Sequence, residues 1–169
     1  MPGWAWARRT RALRERFGRE YDRTVDGAQS KREAEAEVAA RAEHRDALEI
    51  NPLPPGARER YVSEWQRMQA RFVDDPAGAA READILIQSV MQDRGYPTDD
   101  LDQRVADVSV DHPRVVAAYR DAQRLTRASA LGDATTEDLR RAMQQYRSLF
   151  DELVEERPAA AEAEVAARR

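Results

Sequence analysis

The sequence predicts an all-α protein, and three observations carry that prediction. Ala, Arg, Glu and Leu abound while runs of β-branched residues are missing, and the abundant types lose the least conformational freedom in a helix. Apolar residues recur at spacings of three and four, the period of one helix face. Stop and start signals fall between those stretches: Asp75-Pro76, Gly95 with Pro97, Gly132 and Pro158. The expected arrangement is an N-terminal helical hairpin followed by a compact bundle of about five helices. Its boundaries are a basic segment and hairpin over 1–48, a Pro-rich linker over 49–56, the bundle over 57–156 and a low-complexity tail over 157–169.

The first helix carries Leu13, Phe17, Tyr21 and Val25 every fourth residue, a stripe that drifts around the axis. Gly18 weakens its middle, and Asp26-Gly27 ends it. A second helix over Lys31 to Leu48 is apolar only at Val38, Leu48 and scattered Ala. Propensity and i,i+4 ion pairs of a few tenths of a kcal/mol each are its support, so the hairpin over 8–48 is expected to be looser than the rest. Pro52, Pro54 and Pro55 then forbid helix.

Beyond the prolines, Tyr61, Trp65, Met68 and Phe72 share one face, with Val62 and Val73 beside it. The stretch from Trp65 to Pro97 has the densest patterning. Asp75 is an N-cap with Pro76 at the first helical position, and the helix reads through to Arg94. Ala80, Ala83, Ile87 and Met91 form its stripe, and Ile85, Leu86 and Val90 widen the stripe enough to make this helix central. Thr98 is placed to cap a short helix carrying Leu101, Val105 and Val108, with Asp99 and Asp100 in its first turn. Asp111-His112-Pro113 opens another, with Val115, Tyr119, Ala122 and Thr126 inward. Thr135 and Asp138 read as a capping box for the last long helix, on which Leu139, Met143, Tyr146, Phe150 and Leu153 keep a seven-residue spacing.

Composition excludes several functions. The 36% of charged residues against 7% aromatics imply a small core and a heavily solvated surface. With no Cys, disulfides, thiolate metal sites and Cys nucleophiles are all excluded. A net charge of −4 argues against a dedicated nucleic-acid binder. No apolar run approaches the roughly 18 residues that span a bilayer. P-loop, GxGxxG, GxSxG and HExxH patterns are all missing. His44 and His112 stand far apart, the first expected to be an exposed bystander and the second a capping residue, so neither a metal site nor a cofactor nor enzymatic activity is expected.

Two sets of residues remain as candidates. Arg8, Arg9, Arg11, Arg14, Arg16 and Arg19 face only Glu15 in the first 19 residues, a net of +5, while residues 74–111 hold ten Asp or Glu against three Arg, a net of −7. Trp4 and Trp6 precede the arginines, the order expected where a chain meets a membrane surface. The second candidate is Asp84, about 40° from Ala80 and about 20° from Met91 around the helix. A carboxylate there is at least partly buried and needs a partner, expected to be Trp65, a phenol or an Arg; a ligand or metal beside it is the functional alternative.

The stretches LRERFGREYDRTV (13–25), ARFVDDPAGAAREAD (70–84), RGYP (94–97), SVDHP (109–113) and TTEDLRRAM (135–143) resemble an uncharacterised helical family of high-GC, actinobacterial-type bacteria. The likeness covers most of the chain, from Leu13 to Leu153. Members of that family often resemble single-pass membrane proteins with an apolar segment before the arginine cluster. Here only Trp4 and Trp6 stand ahead of the arginines, so this is expected to be a form without the anchor or with a trimmed start. The resemblance implies no catalytic or binding residue.

The expected function is a non-enzymatic helical interaction module at the cytoplasmic face of the membrane. Its partners would be an anionic membrane surface and an unknown protein, with no nucleic acid. The alternative is a cytosolic helical protein holding a small ligand or metal near Asp84.

Overall fold

The computed structural model describes the backbone of residues 2–27, 30–97 and 99–155, and the side chains of residues 8, 10–26, 30–97 and 99–155. The expectations for Thr98, Pro158 and the tail over 157–169 lie outside these residues. Among the described residues eight helices follow in order: α1 (Pro2–Phe17), α2 (Arg19–Gly27), α3 (Lys31–Asp46), α4 (Ala57–Arg71), α5 (Pro76–Arg94), α6 (Leu101–Asp111), α7 (Pro113–Ala130) and α8 (Thr136–Glu155). The described residues contain no strand. Two compact units divide the chain, one taking residues up to Glu49 with Pro97–Ala118, the other Ile50–Tyr96 with residues from Tyr119 onward.

In the first unit, the helix expected over 13–25 is two helices. Gly18 has φ +48, and while its N–H still donates to the Arg14 carbonyl at 2.9 Å, this left-handed residue ends α1 and restarts the chain as α2. Phe17 and Tyr21, on either side of the break, are wholly buried with Val38 and Ala42 of α3 and Val110 of α6, and Leu13 and Val25 pack at the margin. Ser30 caps α3, its Oγ accepting from the Glu33 N–H at 3.2 Å. Asp100 caps α6, accepting from Asp102 and Gln103 N–H at 2.9 and 3.3 Å, in the role expected of Thr98. α6 packs on α3 and α1 and buries Arg104, Val105, Asp107, Val108, Ser109 and Val110, so residues 101–111 group with the N-terminal helices. The boundaries expected from sequence grouped them with the helices after residue 57.

In the second unit, α5 lies against both α4 and α8. Asp75 accepts from the Gly78 N–H at 2.9 Å, and Gly95, at φ +102, terminates the helix. A Cβ on Gly78 would stand 1.9 Å from the Asp75 carboxylate, so a larger residue there would make the capping side chain shift. Ala79, Ala80, Ala83, Ile87, Val90 and Met91 are fully covered. Two expectations fail. Ile85 is 62% exposed, because α4 and α8 cover the other sides of α5; Val73 is 85% exposed, because α4 ends at Arg71. On α8 the apolar series Leu139, Met143, Tyr146, Phe150 and Leu153 is buried as patterned, and Trp65 stacks on Phe150 with ring centroids 4.7 Å apart. The Thr135–Asp138 capping box forms in both directions: Thr135 N–H donates to Asp138 Oδ2 at 2.9 Å, and Asp138 N–H to Thr135 Oγ1 at 3.1 Å.

Candidate functional site

Among the candidate membrane-contact residues, the side chains of Trp4, Trp6 and Arg9 lie outside the described residues. Arg8, Arg11, Arg14, Arg16 and Arg19 are all exposed. Helical geometry sorts them into two groups. Arg8, Arg11 and Arg14 follow one another at i,i+3, each about 60° around α1 from the last, and so make one row of neighbours. Arg14 ends that row with its guanidinium 5.4 Å from the centroid of the Tyr21 ring. Arg16 is about 160° from Arg14 and leaves the row. It bonds to Asp46 at 3.3 Å and lies over the Phe17 ring at 5.7 Å. Arg19 follows the break at Gly18.

The structure places Asp84 at partial exposure in a hydrogen-bonded network. Tyr119 Oη donates to its Oδ1 at 2.7 Å, and Gln123 Nε2 to the same atom at 3.2 Å and to the Tyr119 oxygen at 3.0 Å. Tyr146 meets Tyr119 edge to face with centroids 5.8 Å apart, and its hydroxyl is 2.9 Å from Thr126 Oγ1. Burial, then the Asp84 charge, pushes the Tyr146 phenol well above its ordinary pKa. Trp65 is not the partner expected for Asp84; the indole stacks on Phe150 and is covered by the Arg147 guanidinium at 5.5 Å. Tyr119 and Gln123 stand at i,i+4 on one helix face, a spacing that could have announced a joint polar function.

Sequence reasoning missed three buried carboxylates in the first unit. Glu35, 4% exposed, accepts from Thr10 Oγ1 at 2.7 Å and Tyr21 Oη at 2.8 Å; burial first, and that bond second, raise the Tyr21 phenol pKa. Glu20 is 1% exposed, with the Arg23 and Arg41 guanidiniums each 3.9 Å away. Asp107 is fully covered, bonding through Oδ1 to His44 Nδ1 at 2.7 Å and Gln103 Nε2 at 3.0 Å. Its Oδ2 has no hydrogen-bond partner among the described residues. His44, taken as an exposed bystander, is half exposed but oriented by that buried carboxylate. His112 is buried at the junction of α6 and α7, where its carbonyl accepts from Val115 and Val116 N–H.

Among the described residues, no group of three or more His, Asp or Glu is placed to hold a metal ion, and no helix is long and apolar enough to cross a membrane. Comparison with protein-family models, curated proteins and solved structures gives no match to this chain.

Proposed function

We propose that the chain is a non-enzymatic interaction module that meets an anionic membrane surface through α1, at the cytoplasmic face, and engages a protein partner with the remainder of its helical surface. One observation carries the reading: Arg8, Arg11 and Arg14 form a single exposed row on one helix, the geometry that lets several guanidiniums approach a charged plane together. Each can contribute up to about 1 kcal/mol near anionic lipid. The likeness to a family of high-GC bacteria with membrane anchors belongs to the same proposal, as does the expected hairpin-and-bundle arrangement. Asp84, the focus of the alternative reading, is accounted for by Tyr119 and Gln123, and that reading is not carried further.

Co-sedimentation with phosphatidylglycerol and neutral phosphatidylcholine vesicles at low and high salt tests this. The chain should pellet with the anionic vesicles at low salt only, and the triple variant Arg8→Gln, Arg11→Gln, Arg14→Gln should stay in the supernatant. Undiminished binding of the triple variant would sink the proposal.

A further inference from the structure

Within the first unit, a cavity of about 350 Å³ is lined by Glu15, Arg16, Gly18, Arg19, Pro113 and Arg114. Three arginines line it from three places in the fold: the last turn of α1, the first residue of α2 and the first turn of α7. Arg16 is tied to Asp46 and is still 45% exposed, and Arg19 and Arg114 are exposed. The break at Gly18 puts a single residue between the end of α1 and the start of α2, and Arg16 and Arg19 on its two sides line the same cavity.

Backbone polarity there is mixed: α2 and α7 begin at the cavity and α1 ends at it, so the positive ends of two helices meet the negative end of a third. Pro113 brings no N–H, so the amide of Arg114 is the first that α7 offers. The lining carries three positive charges and the one negative charge of Glu15, a net of +2. A phosphomonoester brings about −1.5 to −2 at neutral pH and three strong acceptor oxygens. Guanidinium forks match those oxygens pairwise.

We infer that this cavity binds a phosphomonoester group, carried either by a lipid headgroup or by a small soluble ester. The lipid source rests on the membrane reading above; the phosphate site itself does not. The site is distinct from the Arg8–Arg11–Arg14 row, which would attract any anionic surface.

Calorimetric titration of the full chain with inorganic phosphate tests the site, using Arg19→Gln and Arg114→Gln as site variants and Arg11→Gln as the row control. Far-UV circular dichroism confirms the helix content of each. Saturable binding by the wild type and Arg11→Gln, weakened about ten-fold or more in both site variants, is expected from the loss of a charge-assisted bond. In vesicles, a preference for phosphatidic acid over phosphatidylglycerol that Arg114→Gln abolishes assigns the lipid source; phosphate binding without that preference assigns a soluble ester. Phosphate binding with no attraction to phosphatidylglycerol would remove the membrane reading and leave the site standing. No saturable phosphate binding, or binding that Arg19→Gln and Arg114→Gln leave unchanged, overturns the inference.

Discussion

Arg94 and Asn51 bond to each other twice: Arg94 Nε donates to the Asn51 carbonyl at 3.1 Å, and the Asn51 N–H donates to the Arg94 carbonyl at 2.9 Å. The same guanidinium reaches the Leu153 carbonyl near the end of α8 at 3.2 Å, and the residue is only 4% exposed. One arginine thus satisfies acceptors on the Pro-rich stretch and on α8.

Replacing Arg94 by Met should therefore cost about 1–3 kcal/mol, because apolar atoms fill the space but leave the buried Leu153 carbonyl without this donor. Urea unfolding followed by circular dichroism measures it. The exposed Arg58, whose bond to Glu155 spans 3.3 Å, should cost less than about 1 kcal/mol on the same change. Equal losses at the two sites would refute the role given to Arg94.

Three phenols should resist ionisation. Burial and donation to Asp93 at 2.6 Å push Tyr61 up to about 12, and Tyr21 and Tyr146 are raised too. A raised folded value favours the protonated form in the folded state. Their contribution to stability is complete below the unfolded value of about 10 and is lost as pH rises through the folded values. A phenolate absorbance titration should show these groups ionising late, together with unfolding. Asp84→Asn, which removes the charge raising Tyr146, should bring that group back toward its ordinary range.

Acid should act on the second unit through α7 and α8. Hydrogen bonds from Gln145 and then Arg124 hold Asp121 below the usual carboxylate range, and bonds from the Thr135 N–H and hydroxyl do the same for Asp138. Lowered folded values mean stability that is present above about pH 3.9 and lost as pH falls through the folded values. Thermal melts at descending pH should show this loss, and Asp138→Asn should make the acid slope shallower. An unchanged slope would mean that the capping bond contributes nothing.

Gly18→Ala should destabilise by about 1 kcal/mol, since an L-residue at positive φ carries that order of strain. A Cβ built there meets nothing within 4 Å, so steric crowding adds no further cost. Insensitivity of the melting temperature to this change would show that the break between α1 and α2 does not need glycine.

Local signals in the sequence were the legible ones. The caps at Asp75 and at Thr135 with Asp138, the stop at Gly95 and the buried series on α8 all follow from chemistry within a few residues, and all are present. What stayed hidden depends on partners distant in sequence. In the acidic stretch over 74–111, Asp75 and Asp100 cap helices, Glu82 pairs with Arg71, Asp84 and Asp93 accept from tyrosines, and Asp107 and Asp111 meet His44 and Arg45. Glu35 looked like one more exposed glutamate of an Ala-rich helix because Thr10 and Tyr21, which make its burial tolerable, lie 25 and 14 residues away. The three-arginine cavity was out of reach for the same reason: Arg114 stands nearly a hundred residues from Arg19.

Because Pro97–Ala118 belongs to the unit that the first 49 residues begin, that unit cannot be completed in the order in which the chain is made. At about 5–20 residues per second, a ribosome would leave α1, α2 and α3 waiting several seconds for α6. During that interval the Asp107 and Val110 side chains that cover His44 and Phe17 do not yet exist. A nascent chain halted before residue 97 therefore displays an unfinished apolar and acidic interior, which is where a chaperone would be expected to hold it.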